Sequence, residues 1–257
     1  MATTLRVNDD VDNTDVKYLQ QKVKELSLQL EGAEKREREF KLLEAKLLMG
    51  QVQTVEAIVE AIEAKDQYTS GHSRRVADMS LMMGAVLKLE ASRMWKLRIA
   101  ALLHDVGKIG VYDQSLKKPS ALDDHEYLQL KEHPVIGERI VRRIDQFADV
   151  APIVRWHHER YDGKGYPDGL GGDQIPIESA IICVADAYDA ITSKRAYSDR
   201  KTTAHAVEEI MTHSGTQFNP KVVLALRQAL LPNELMSISL QESDFDADFE
   251  IPEETGF

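Results

Sequence analysis

Apolar runs of membrane length are missing from this 257-residue chain, so no transmembrane helix is expected. A basic, apolar leader is missing too. The opening MATTLRVNDDVDNTD is polar and acidic, which argues against a signal peptide. There is one cysteine, Cys183, so an internal disulfide is excluded and a reducing cytoplasm is the expected compartment. A basic balance is absent as well. The net charge of −11 argues against non-specific DNA binding. Eight of the acidic residues fall in 233–257, where there is no Lys or Arg, which leaves about −3 for the rest. Charge therefore says little about the substrate. Finally, no strand-like alternation occurs anywhere, and the expected fold class is all-α. With 43% hydrophobic residues the chain can bury one good-sized core with an appendage.

What is present is helix upon helix. Residues 1–15 and the aperiodic acidic tail 233–257 are expected to be unstructured. From Val16 a heptad runs through Leu19, Val23, Leu26, Leu30 and Ala33. After the charged EKREREF it resumes at Leu48, Val52, Val55, Val59 and Ile62, displaced by one residue. No proline interrupts 16–63, and its only glycines are Gly32 and Gly50. The pattern predicts a long helix whose first part forms a parallel, homodimeric coiled coil; the alternative is a helix folded back on its own domain. Helical spacing then recurs over 74–88, 91–106, 123–132, 134–146, 147–159, 178–193, 203–213 and 220–231, which predicts a compact helical domain over 64–232.

The chemistry begins at RIAALLHDVGKIG. Five apolar residues, Ile99 to Leu103, lead into His104 and Asp105. A buried carboxylate needs a cation or several donors. An isolated His-Asp pair reads as a hydrogen-bonded pair stabilising a helix end; the competing reading is a shared metal site. The other histidines favour the metal. His72, His104, His133, His157 and His158 all sit at helix ends or polar turns beside apolar runs, and Asp186 lies on the apolar AIICVADAYDAI. Five imidazoles and two carboxylates are too many ligands for one ion and suit two ions bridged by Asp105. Thiolates are absent, so a structural zinc is not expected. The mixed nitrogen and oxygen set suits iron or manganese, with nickel, cobalt or magnesium as alternatives. His125, His205 and His213 fit no cluster and are expected at the surface, while Trp95, Trp156 and Cys183 are expected to pack in the core.

The ordered motifs YTSGHS, LLHDVGKIG, EHP, HHERYDGKGYPDGL, ADAYDAITSKRAY and SGTQFNP resemble the HD-GYP family of HD phosphohydrolases, from about Ala64 to about Val223. The family is named for the elements that stand here as His104-Asp105 and Gly165-Tyr166-Pro167. The resemblance implies a phosphodiesterase that hydrolyses cyclic di-GMP with two divalent ions. It assigns His72, His104, Asp105 and Asp186 to one ion, and Asp105, His133, His157 and His158 to the other. Gly165, Tyr166 and Pro167 would flank the substrate and offer a surface to a signalling partner. Lys108 would meet the scissile phosphate, and Arg195 a phosphate or a guanine edge.

Three positions depart from the family pattern. Tyr68 stands where some members carry a Glu that supports a third metal, so two ions are expected. Ser198 stands where many members have a nucleotide-gripping Lys. GVYD, Gly110 to Asp113, replaces a common GVPD. Two other functions remain open at this point: hydrolysis of another cyclic dinucleotide, and a non-catalytic module that binds nucleotide or a partner.

Overall fold

The structure, a computed structural model, describes residues 13–63, 71–111, 123–193 and 202–230. The unstructured tail expected over 233–257, and Tyr68, Tyr112, Asp113, Arg195 and Ser198, lie outside them. Nine α-helices follow one another among the described residues: α1 Asn13–Glu63, α2 His72–Val86, α3 Ala91–Leu103, α4 Asp124–Leu130, α5 His133–Val141, α6 Ala151–Arg155, α7 Ile177–Thr192, α8 Thr203–Thr212 and α9 Pro220–Leu230. Short 3₁₀ segments occupy Val106–Gly110, Asp145–Phe147 and Gly172–Gln174. There is no strand among the described residues, only an isolated bridge between Ser214 and Phe218. The all-α expectation holds, and so does the long N-terminal helix, although it starts at Asn13, inside the stretch expected to lack structure.

The chain divides into two compact units, Met1–Gln53 and Thr54–Phe257. In the first, the heptad residues Val16, Leu19, Val23, Leu26 and Leu30 are all exposed. In the second, Val55 and Val59 of α1 are buried.

In the second unit α2 packs against α3, α7 and α9. The core comes from the apolar runs read in the sequence: Ile99 to Leu103 on α3, Ile181, Ile182, Val184 and Ala185 on α7, and Val222 and Leu226 on α9. Removing these side chains from water is the main stabilising term. Asp123 and Glu126 form a capping box at α4, and Thr202 caps α8 through the His205 amide.

Two expected helices are much shorter. The stretch 134–146 stops at Val141, and 147–159 shrinks to Ala151–Arg155. Pro152 lacks an amide proton and disfavours a helical residue before it, so it can only open a helix here. Trp156 is also not a core residue: its indole N–H donates to Asp168 at 2.7 Å in the loop that follows.

One close approach sets the site. The 3₁₀ segment Val106–Gly110 crosses the start of α5 so tightly that a Cβ on Gly107 would collide with the His133 carbonyl oxygen. Only glycine fits, and the crossing brings Asp105 against His133. Gly107→Ala should push the segment off α5 and cost about 1–3 kcal/mol or more, as overpacking does. Thermal unfolding checks this; a wild-type midpoint would contradict it.

Candidate metal centre

The expected ligands converge from five elements. His72 is the first residue of α2, His104 and Asp105 follow α3, His133 opens α5, His157 and His158 follow α6, and Asp186 lies on α7. They form two clusters. The ligand atoms of His72, His104 and Asp186 lie within 4.8 Å of one another, and so do those of His133, His157 and His158. Asp105 stands between them. Its Oδ2 is 3.4 Å from His104 Nε2 and 3.8 Å from His72 Nε2, while its Oδ1 is 3.4 Å from His133 Nε2. One carboxylate therefore presents one oxygen to each cluster.

A recurring local device aims the imidazoles. His104, His133 and His157 each follow a helix end, and each donates Nδ1–H to the carbonyl three residues back: Ala101 at 2.8 Å, Leu130 at 2.6 Å and Val154 at 2.6 Å. Carbonyls in the last turn of a helix lack amide partners. At Leu130 the residue four on is Pro134, which has no N–H to give, so the His133 ring takes the vacancy. A carbonyl only accepts, so in all three rings the proton sits on Nδ1 and the Nε2 lone pair faces the clusters. His72 uses a different partner. Its Nδ1 donates to Asp189 Oδ2 at 2.7 Å, and Arg75 clamps Asp189 through Nε at 2.6 Å and Nη2 at 3.1 Å.

The clusters fit metal ions by their own chemistry. His133 Nε2 and His157 Nε2 stand 3.3 Å apart with both lone pairs inward, an arrangement that a cation satisfies and a hydrogen bond does not. His104 Nε2 is buried with no hydrogen-bond partner. Burial favours the neutral ring in the second cluster: it lowers His133, pushes His157 well below the usual imidazole range and takes His158 down to about 3. His72 goes the other way. Burial lowers it, but the Asp189 hydrogen bond and the Asp186 and Asp105 charges outweigh burial and raise it. Burial also pushes Asp105 up, yet Lys108 and the surrounding imidazoles hold it well below the carboxylate range. Neutral imidazoles and ionised carboxylates are the ligand forms metals need.

Lys108 reaches Asp105 Oδ2 at 2.5 Å. The segment is 3₁₀ rather than α, so residues i and i+3 eclipse and the ammonium stands directly over the carboxylate. Beside the second cluster, the Tyr166 ring lies 4.9 Å from the His158 ring, and the Tyr166–Pro167 peptide is cis. A Cβ on Gly165 would come within 2.6 Å of the His158 carbonyl, so this turn too admits only glycine. The loop is tied down by residues that are not among the expected site residues. Buried Glu159 accepts from the amides of Asp168 at 2.7 Å and Gly169 at 3.1 Å. Arg155 grips the Asp168 carboxylate with two donors, at 2.7 and 2.8 Å.

Asp189 is likewise absent from the expected site, although it lies three residues after Asp186 on the same helix and its spacing is readable. Arg195 is not among the described residues. His125, His205 and His213 are exposed, and Cys183 is half-buried, its thiol pushed up to about 12 by burial.

Comparison with known proteins places the chain. The HD domain family matches residues 56–222. This chain belongs to the HD domain family. With His104-Asp105 and Gly165-Tyr166-Pro167 it falls in the HD-GYP branch. As an HD-GYP domain it is 38% identical over 183 residues to a 3'3'-cGAMP-specific phosphodiesterase of Vibrio cholerae, covering 70% of this chain and 40% of that protein. It is 37% identical over 186 residues to a cyclic di-GMP phosphodiesterase of Thermotoga maritima, covering 72% of this chain and 50% of that one. The chain thus spans half or less of the length of these curated relatives. A solved Vibrio cholerae cyclic GMP-AMP-specific phosphodiesterase shares the fold, with a TM-score of 0.58 and 18% identity over 76% of this chain and 53% of that one. Among the described residues, no helix is long and apolar enough to cross a membrane.

Proposed function

We propose that this HD-GYP domain is a binuclear metal-dependent phosphodiesterase that opens cyclic di-GMP to the linear dinucleotide or to GMP. The observation that carries this reading is the Asp105 carboxylate, with one oxygen toward each of two ligand clusters. Seven side chains of mixed nitrogen and oxygen donors suit two iron or manganese ions. Bound divalent ions lower the pKa of water toward neutrality and offset charge on phosphoryl oxygens.

The chain's own residues do the rest. Asp105 and its histidines hold a fixed, largely buried cradle, so little reorganisation is needed when charge develops. Water attacks phosphorus in line with the departing 3′ oxygen; a phosphorus–oxygen bond forms and the bond to that oxygen breaks. Lys108 offers its ammonium to the phosphoryl oxygen whose charge grows. Tyr166, stacked on His158, forms the wall against which the nucleotide lies, with Gly165 and Pro167 shaping the turn. Arg195 is assigned to grip the nucleotide rather than the scissile phosphate, and Arg195→Ala should raise KM with kcat little changed, the signature of lost uniform binding. Steady-state kinetics checks this, and a fall in kcat alone would contradict it.

A second substrate reading has its own support, because a 38%-identical relative carries the name of a 3'3'-cGAMP-specific enzyme. Competition between cyclic di-GMP and 3'3'-cGAMP at equal concentration separates the two. Preferential loss of cyclic di-GMP supports the cyclic di-GMP assignment; preferential loss of 3'3'-cGAMP overturns it.

The proposal includes a homodimer through the exposed heptad of α1, action in the cytoplasm, and a protein partner at the loop around Tyr166. Deleting residues 1–47 should leave a folded, monomeric domain by sedimentation, since the ligands lie beyond that point. A tight dimer after truncation would move the contact into the helical domain.

A further inference from the structure

Ligand His72 is held at its ring by Asp189; its backbone is held from a different direction. Helix α2 starts with no side-chain cap, because its N-cap is Gly71 in the left-handed region at φ 70°. The amides on either side of His72 are taken by Glu63, the last residue of α1. Gly71 N–H donates to Glu63 Oε2 at 2.7 Å, and Ser73 N–H donates to Glu63 Oε1 at 2.8 Å. Both carboxylate oxygens are thus spent on the two peptide groups that flank one ligand. Such charge-assisted bonds are about twice as strong as neutral ones, and a carboxylate at a helix N-terminus also complements the helix dipole.

The contact joins the end of one helix to the start of the next. It is also unlike the links that Glu56 makes. Glu56, two turns earlier on α1, pairs with Arg74 at 3.2 Å and Arg98 at 3.3 Å, side chain to side chain, on partners that are not ligands. Of these two carboxylates, only Glu63 touches the backbone that carries a ligand. The His72 ring has two anchors to satisfy at once, Asp189 on Nδ1 and the cluster on Nε2. Small rotations of its peptide would break one or the other.

We propose that Glu63 is a positioning residue for His72, which makes the end of the long N-terminal helix part of the scaffold of the first metal cluster. The inference rests on the metal reading of that cluster. Outer partners of metal ligands commonly contribute 10–100-fold to affinity. A shift at the end of α1 is transmitted to His72 through this carboxylate. The two residues that Glu63 holds, Gly71 and Ser73, flank a ligand of the first cluster and none of the second.

The test uses the full chain, stripped with a chelator and titrated with Mn²⁺, with free Mn²⁺ followed by electron paramagnetic resonance. Wild type should bind in two separable classes. Glu63→Gln, which keeps the shape but removes one acceptor and the charge, should weaken one class by about ten-fold or more and leave the other unchanged. Glu56→Gln serves as the control for a general packing role and should change neither class selectively. Thermal unfolding of both variants shows that they are folded. The proposal is overturned if Glu63→Gln leaves both classes intact, if it weakens both alike, or if Glu56→Gln gives the same pattern. Turnover of cyclic di-GMP by wild type is followed alongside. Absent turnover with a selective Glu63 effect sinks the enzymatic reading and leaves this one standing.

Discussion

Asp105→Ala should empty both clusters, with metal content falling from near two per chain to well below one. The reason is its position: one oxygen is 3.4 Å from His104 Nε2 and the other 3.4 Å from His133 Nε2. No second carboxylate takes that place among the described residues, since Asp186 groups with His72 and His104 only. Removing the carboxylate leaves the second cluster with three neutral imidazoles and no anion. Activity should fall on the order of 10³-fold or more, because the lost interactions are those that strengthen in the transition state. Asp105→Asn refines the test. It keeps one acceptor oxygen and loses the charge, so it should retain at most one ion. Elemental analysis of wild type and both variants decides the matter. A single zinc equivalent, unchanged in Asp105→Ala, would contradict the shared carboxylate.

Lys108→Ala should lower kcat by about 10²-fold or more, as removal of one donor to developing charge does, with metal content near wild type. The 3₁₀ geometry strengthens this expectation. It holds the ammonium over the carboxylate that serves both clusters, close to where a phosphate must sit for attack. Two effects are combined in this one side chain, because Lys108 also helps keep Asp105 ionised. Loss of that second effect would appear as lower metal occupancy at acid pH. Loss of the first appears as lower kcat at full occupancy, which is the predicted result. Single-turnover measurement on metal-saturated protein separates them. An unchanged kcat would return Lys108 to an ordinary ion pair.

Most of the site can be read from residue types alone. Seven candidate ligands stand out because histidines and aspartates beside apolar runs are costly without a partner. The structure brings all seven into two adjoining clusters. What is not legible is how the rings are aimed. The Nδ1 bonds of His104, His133 and His157 go to backbone carbonyls, and any residue type supplies a carbonyl. Glu63 is equally hidden. It looks like one more charged residue on a charged helix, and only the chain's return at Gly71 gives it a role.

Helix existence follows from apolar periodicity; helix ends do not. The stretch 91–106 stops at Leu103 because the His104 ring takes the Ala101 carbonyl, the acceptor that continued helix would offer to the Asp105 amide. Periodicity carries no trace of that competition. Pro152, by contrast, is a readable break inside 147–159, and the helix opens there rather than running through it. Gly107 and Gly165 read as turn glycines, but both are there because another backbone passes within van der Waals distance.

Hydrolysis, if one carboxylate holds two ions, must depend on both of them. Chelator-treated full-length protein, given Mn²⁺ in steps of a fraction of one equivalent, provides the most direct measurement. Product formation from cyclic di-GMP is followed by chromatography at each step. Little turnover is predicted up to the first equivalent, then a steep rise as the second binds and a plateau near two. Full activity at one equivalent, or none with two equivalents bound, would contradict the shared-carboxylate centre.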